Sequence, residues 1–337
     1  MKKPSRLAYA ALLFAFLLPQ LLPRSFGAPR IGAVSAVPSP VLDGLVSETP
    51  APAPTPGQGP PAPETVRLLV SGEVLTLPMQ EYLVGVLAGE MPASFAEEAL
   101  KAQAVAARTY AMYCMLGPKH AEADVCADPG HCQAWQDEET MRSKWGERYD
   151  DYRARLEAAA SSTAGQYLSY EGQPVFAAFH ASSAGATEDC GQVWNPRPYL
   201  ISVPSPESAE TVPNFVTRLL CAPLDFRDAL LSARPEADLS GDMADWLGPT
   251  ERDASGRVSS ALIGGVPFSG VELRRLFSLR STAFTLEQAD GGFLFTVSGS
   301  GHGVGMSQYG AEVMARQGAD YRAILAHYYP GTVLIGP

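Results

Sequence analysis

The chain has 337 residues, 46% hydrophobic, 9% aromatic and 18% charged, enough apolar material for a sizeable core and too few charges for a disordered chain. Its formal net charge is −11; the first thirty residues carry five bases (Lys2, Lys3, Arg6, Arg24, Arg30) and no acid, so the remainder sets 20 bases against all 36 acids. So acidic a body excludes sequence-independent nucleic-acid binding, which needs a basic surface, and no phosphate-binding P-loop motif occurs.

Lys2, Lys3 and Arg6 precede an apolar run from Leu7 to Leu22. That is the pattern of an export signal. Residues 1–28 read equally as a cleaved signal peptide or a retained membrane anchor, and either places the body on the extracytoplasmic face. From Pro38 to Pro63 there are nine prolines, so residues 29–64 read as a semi-rigid, extended linker; a proline-rich ligand for a partner domain is the lesser alternative. The folded body is expected over 65–337.

Within it, Thr65–Leu77 reads as a hairpin about Ser71-Gly72. A helix is expected from Pro78 through Gly89, with Leu83, Val86 and Leu87 on one face. Ser94-Phe95-Ala96-Glu97 has the form of a capping box and should open an alanine-rich, buried helix to Leu116. Residues 119–137 read as loop, Glu139–Ala160 as a surface helix, Gln166–Phe179 as a second hairpin and Asp225–Leu247 as an acidic helix. Val258–Ile263, Thr282–Leu286 and Gly292–Val297 read as strands. Helices are expected from Ser269 to Leu276, Ser307 to Gln317 and Tyr321 to His327. Helices and short strands mix without βαβ alternation, so the fold class is α+β, a single large mixed domain.

Four clusters carry chemistry. Glu90 falls on the apolar face of its helix, before Met91-Pro92. Position alone favours an exposed helix-terminal carboxylate; burial on that face would raise its pKa toward that of a general acid. His120, Cys126, His131 and Cys132 supply four nitrogen and sulfur ligands within 13 residues, a set suited to tetrahedral zinc. A Cys126–Cys132 disulfide is the equal alternative outside the cell, and with five cysteines full pairing is impossible. His180, Ser182 and Ser183 follow a strand, without the elbow motif of a serine hydrolase. Gly301-His302-Gly303-Val304-Gly305 precedes a helix, and such glycines are expected to turn backbone amides toward an anion or a sugar hydroxyl; the spacing is not that of a dinucleotide fingerprint. His327 reads as a packed or capping residue.

Together these blocks resemble the stage II sporulation protein D family of peptidoglycan lytic transglycosylases. The matching stretches are residues 81–92 around Glu90, residues 99–110, His131-Cys132-Gln133-Ala134-Trp135, the His180 segment, Gly301 through Gly310, and residues 324–332. They span nearly the whole body in order. Ala184 and Cys190 depart from the pattern, and residues 204–250 match least.

The resemblance implies that Glu90 is the catalytic glutamate, and that His120, Cys126, His131 and Cys132 hold a structural zinc with no open coordination position. It implies cleavage of the β-1,4 bond between N-acetylmuramic acid and N-acetylglucosamine in peptide-stripped glycan strands, with a 1,6-anhydro product, during forespore engulfment. The implied partners are a sporulation amidase–endopeptidase and a membrane scaffold. His180, Ser182, Ser183, His302 and Gln308 are the expected substrate contacts, working through hydrogen bonds and stacking rather than charge. The competing readings are a non-catalytic wall-binding amidase enhancer and a zinc hydrolase.

Overall fold

A computed structural model describes residues 59–337. The expected signal or anchor (1–28) and most of the expected linker (29–64) lie outside these residues. Strands β1 (Thr65–Val70) and β2 (Glu73–Pro78) pair antiparallel. Ser71 and Gly72 both have positive φ, 50° and 90°, the turn that matches strand twist. Helix α1 (Met79–Glu90) follows directly, and α2 (Glu97–Leu116) runs behind it.

The capping box does not form. Ala96, not Ser94, precedes α2, with no side-chain cap of its own; its amide donates instead to Glu312 Oε2 at 2.6 Å. A carboxylate from the far end of the chain thus serves the positive end of the helix. Ala99, Ala102, Ala104, Ala106, Ala107 and Ala111 are fully buried along α2, as expected of a central helix that neighbours approach closely.

Strand β3 (Val125–Cys126) extends the first sheet in parallel beside β1. The expected single surface helix is two, α3 (Glu138–Trp145) and α4 (Tyr149–Ser162), separated at Gly146, whose φ of 53° breaks the run. Arg108, inside α2, donates to Ala160 O, a carbonyl of the last turn of α4, and to Gln166 O beyond it. The second hairpin shrinks to β4 (Tyr167–Tyr170) and β5 (Gln173–Pro174).

The topology turns on β6 (Phe179–His180). It pairs in parallel with a segment more than a hundred residues later, and the intervening chain builds a second core. That chain contains β7 (Val216–Cys221), α5 (Pro223–Ala233), β8 (Leu247–Arg252), β9 (Val258–Ile263), β10 (Val266–Ser269), α6 (Gly270–Leu276), β11 (Phe284–Ala289) and β12 (Gly292–Ser298). The expected helix over 225–247 therefore stops early, at Arg234-Pro235, where the proline disfavours helix in the residue before it; β8 takes up its end. Two three-stranded sheets, β10-β9-β8 and β11-β12-β7, pack with α5 and α6 around Phe226, Phe268, Phe293 and Phe295. Phe226 stacks on Phe293 with centroids 4.0 Å apart.

The chain then returns through β13 (Met306–Ser307), the partner of β6, into α7 (Gln308–Arg316), α8 (Tyr321–Tyr328) and β14 (Val333–Ile335) against β4. Helices α1, α4, α7 and α8 surround α2 in the first core. The architecture is α+β: one compact unit on two hydrophobic cores. Among the described residues no helix is long and apolar enough to cross a membrane.

Candidate active site and metal cluster

A cleft of about 630 Å³ is lined from the first core by Glu90, Tyr110, Tyr113 and Phe176, and from the inserted chain by Trp194, Arg197, Arg274 and His302. Glu90, the last residue of α1, is half-buried. Its Oε1 accepts from Ala134 N at 2.6 Å, and its Oε2 lies 3.4 Å from Gln308 Nε2. Burial raises its pKa, and the bonds from Ala134 and Gln308 oppose that rise. The carboxyl also stands at the negative end of a helix, which further disfavours its charge.

The segment that holds Glu90 lies flat on α1. Gln136 N donates to Gly85 O at 3.1 Å. A Cβ at Gly85 would stand 2.1 Å from Trp135 Nε1, and one at Gly89 would stand 2.9 Å from the carbonyl carbon of Ala134. Two glycines four apart on one helix face thus admit the passing segment, Gly85 the Trp135 ring and Gly89 the Ala134 backbone. Gln133 Nε2 donates to Tyr82 Oη at 2.9 Å, fixing the segment from its other side.

Cys132 immediately precedes this segment. The ligand atoms of His120, Cys126, His131 and Cys132 all lie within 4.8 Å of one another. Cys126 Sγ is 3.5 Å from His131 Nδ1, and Cys132 Sγ is 3.5 Å from His120 Nε2 and 3.7 Å from His131 Nδ1. Tetrahedral zinc with ordinary Zn–S and Zn–N bonds sets nitrogen and sulfur about 3.5 Å apart. The four donors therefore fit a zinc ion, and neither cysteine is in a disulfide. Ligands 120, 126 and 131/132 are brought together by β3 and by the turn at Asp128, whose side chain accepts from Gly130 N and whose carbonyl accepts from Cys132 N.

The two expected histidine contacts line the cleft and are neutral. Burial and the nearby Arg274 bring the His302 pKa down to about 4, and Val304 N donates to His302 Nδ1, which leaves the ring proton on Nε2. Burial drives the His180 pKa well below its ordinary value; its Nε2 is 2.7 Å from Ser183 Oγ and its Nδ1 3.3 Å from Val304 O. Ser182 and Ser183 do not reach the cleft: they are 1% and 0% exposed. Ser183 N donates to Glu207 Oε1, an acceptor shared with Ser307 Oγ. These serines brace β6 against α7, and Gln308, at the start of α7, is the neighbour of Glu90.

Several amides of the glycine loop are engaged within the protein rather than turned toward a ligand. Gly299, Ser300 and Gly301 donate to Phe215 O, Ser182 O and Arg280 O, and Met306 donates to Ala178 O. Its glycines serve close packing: a Cβ at Gly303, where φ is 86°, would stand 2.6 Å from the Arg257 guanidinium. His327 Nε2 bonds Pro204 O, the packed role expected of it.

Sequence reasoning missed the aromatic wall. Tyr110, Tyr113 and Trp194 gather about Phe176 at centroid distances of 5.4–5.8 Å. Trp194 also lies 4.7 Å from His302 and is 42% exposed. The four come from α2, from the stretch between β5 and β6, and from an irregular loop, so no periodicity links them; the usable signal was the lone Trp194 beside Asn195-Pro196.

A family model described as "Stage II sporulation protein" matches residues 71–170. Stage II sporulation protein D of Bacillus amyloliquefaciens is 33% identical over 94% of this chain and 90% of its own length. Its namesake in Bacillus subtilis (strain 168) is 35% identical over 77% of this chain and 75% of its own. The amidase enhancer of Bacillus subtilis (strain 168) is 29% identical over 75% of this chain but 40% of its own length. With a third of its residues shared along nearly the full length of such a relative, the chain belongs to the stage II sporulation protein D family.

Proposed function

We propose that this protein is a sporulation lytic transglycosylase that cuts the MurNAc–GlcNAc β-1,4 bond of peptide-stripped glycan strands during forespore engulfment. One observation carries the reading: Glu90 is the only carboxylate among the described residues that line the aromatic-walled cleft. Hydrolysis of a glycoside ordinarily needs two carboxylates, one on each side of the bond. A single carboxyl suffices when the nucleophile is the sugar's own hydroxyl, because an intramolecular attack needs no activated water.

Glu90, whose pKa burial raises, gives its proton to the glycosidic oxygen as the bond from that oxygen to C1 of N-acetylmuramic acid breaks. Positive charge develops at C1 beside the new carboxylate. Glu90 then takes the proton of the C6 hydroxyl as that oxygen bonds to C1, which closes the 1,6-anhydro ring and restores the acid. The Ala134 amide and the Gln308 side chain hold the carboxylate in place between the two transfers. Trp194 and Phe176 offer flat faces to sugar rings.

His120, Cys126, His131 and Cys132 would hold a zinc ion with every position filled by protein, which supplies a rigid crosslink. The protein would act on the extracytoplasmic face, secreted or anchored by residues 1–28, beside a sporulation amidase–endopeptidase and a membrane scaffold. The amidase-enhancer relative favours a second reading, in which the cleft only binds the wall. Mass spectrometry of digests of peptide-free strands separates the readings: anhydro ends that vanish in Glu90→Gln support the transglycosylase, ends that carry water indicate hydrolysis, and binding without products indicates the enhancer.

A further inference from the structure

The cleft is basic in an acidic protein. Against the single carboxyl of Glu90 its lining sets Lys119, Arg197 and Arg274, while the whole chain carries −11. None of the three has a carboxylate partner among the described residues; their polar contacts are of another kind. Arg197 donates from Nη2 to Tyr113 Oη at 2.7 Å and from Nη1 to Tyr199 Oη at 3.3 Å. Its guanidinium carbon lies 5.2 Å from the centroid of Tyr113 and 5.3 Å from that of Phe176. Arg274 donates from Nε to Leu279 O at 3.2 Å. Lys119 donates to Tyr110 Oη and His131 O.

Arg197 and Arg274 are half-buried, and half-buried cations without counter-ions are costly. Neutral acceptors fix their orientation without cancelling their charge, so they hold unspent attraction for an anion. An arginine with free N–H groups in a fixed fork matches a carboxylate, and a cleft of one sign concentrates ligands of the other.

We propose that Arg197 and Arg274 form an anion-binding subsite that takes the free lactyl carboxylate of N-acetylmuramic acid, so that the enzyme reads the charge left when the stem peptide is removed. The inference rests on the transglycosylase reading of the cleft and goes beyond it. A stem peptide is joined to the lactyl group as an amide, which removes the negative charge and adds bulk. A stripped strand therefore presents one carboxylate on every muramic acid, and the cleft distinguishes it by charge. Charge would then join the hydrogen bonds and stacking expected from the sequence, since arginines line the cleft beside the aromatic wall.

The test uses the full chain and two probes: peptide-free glycan strands, and the same strands with their lactyl carboxylates converted to methylamides. In the Glu90→Gln background, which binds without cutting, native strands should bind about tenfold tighter than amidated ones, and the gap should narrow as salt rises. Arg197→Gln and Arg274→Gln should each weaken native-strand binding toward the amidated value and cost amidated-strand binding several-fold less; Arg197→Lys should restore part of the native-strand binding. In the active enzyme the same substitutions should raise KM for native strands more than they lower kcat. Equal binding of the two probes, or variants that lose both probes alike, overturns the subsite. If the active enzyme cuts both probes equally well to anhydro ends, the subsite fails and Glu90 keeps its role; if it binds and cuts neither, both proposals fall.

Discussion

The Ala134 amide reaches back 44 residues to donate to Glu90 Oε1 at 2.6 Å. This bond joins the end of α1 to the segment that leaves the His/Cys cluster, so acid and cluster share two residues of backbone. It also opposes the effect of burial. Burial raises the pKa of the carboxyl, while the amide stabilises the carboxylate that the second half of the proposed reaction needs.

Glu90→Gln should lower turnover about a thousandfold, the scale expected for loss of a general acid–base group, while strand binding survives. Its stability should also change with a definite sign. The folded pKa of Glu90 lies above the unfolded one, so stability from this group is full below the unfolded value and is lost as pH rises through the folded value. Glutamine does not titrate. Thermal melts should show Glu90→Gln gaining on the wild type as pH rises from 4 to 8; a constant difference across that range would mean that the carboxyl is not held protonated by burial.

Turnover in the wild type should fall as pH rises through the folded pKa of Glu90, because the first step needs the acid protonated. His180 and His302 cannot supply this limb: burial keeps both pKa values down, His302 at about 4. The pH–rate profile of His302→Gln should therefore keep the wild-type alkaline limb. A limb that moves with this substitution would assign the titration elsewhere.

Removing zinc should affect catalysis as well as stability. Metal analysis should find about one ion per chain. Chelation or Cys132→Ser should lower the melting temperature by roughly 4–8 °C, equivalent to about 2 kcal/mol in a domain of this size, and should lower turnover because Ala134 is two residues away. Glu90 with its amide donor displaced should bind strands nearly as before and cut them more slowly. Full turnover by a verified metal-free protein would separate the cluster from the site.

How far the sequence foretold this arrangement depends on how local each feature is. The four-ligand loop stood out by its short spacing; Glu90 lay on an apolar helix face, but position alone favoured an exposed carboxylate, where the structure half-buries it, and its catalytic role came only from the resemblance. The turn at Ser71-Gly72 was legible because it is local, and positive φ is required there. The start of α2 was misread because Glu312, 216 residues away, does the work that Ser94 was expected to do. The insertion between β6 and β13 was invisible because two-residue strands have no readable period. That insertion carries Trp194, Arg197 and Arg274, so its side of the cleft stayed hidden along with it.

Gly85→Ala tests whether the acid is placed by the passing backbone. The new Cβ would overlap Trp135 Nε1 at 2.1 Å, and Trp135 must move with Ala134 beside it. The cost should be that of overpacking, about 1–3 kcal/mol, with a fall in kcat larger than that of a surface variant of equal stability. A blue or red shift in the Trp135 fluorescence would report the displacement; a folded Gly85→Ala protein with unchanged kcat would mean that Glu90 holds its position unaided.

Behind the glycine loop, Arg257 and Glu188 are 1% and 3% exposed and lie 3.6 Å apart, Nε to Oε2. Ser255 Oγ bonds both Glu188 Oε2 and Asp253 Oδ1. Burial, and after it the neighbouring Asp253, pushes the Glu188 pKa up to about 7. A raised carboxyl contributes stability that is full below its unfolded pKa, about 4.3, and is lost as pH rises through about 7. The wild-type melting temperature should therefore fall between pH 5 and pH 8 more steeply than that of Glu188→Gln, which keeps a group of the same size and has no proton to lose. If the attraction of Arg257 were the stronger influence, Glu188 would be ionised throughout this range. Glu188→Gln would then be less stable by a constant amount at every pH, leaving Arg257 buried without its partner.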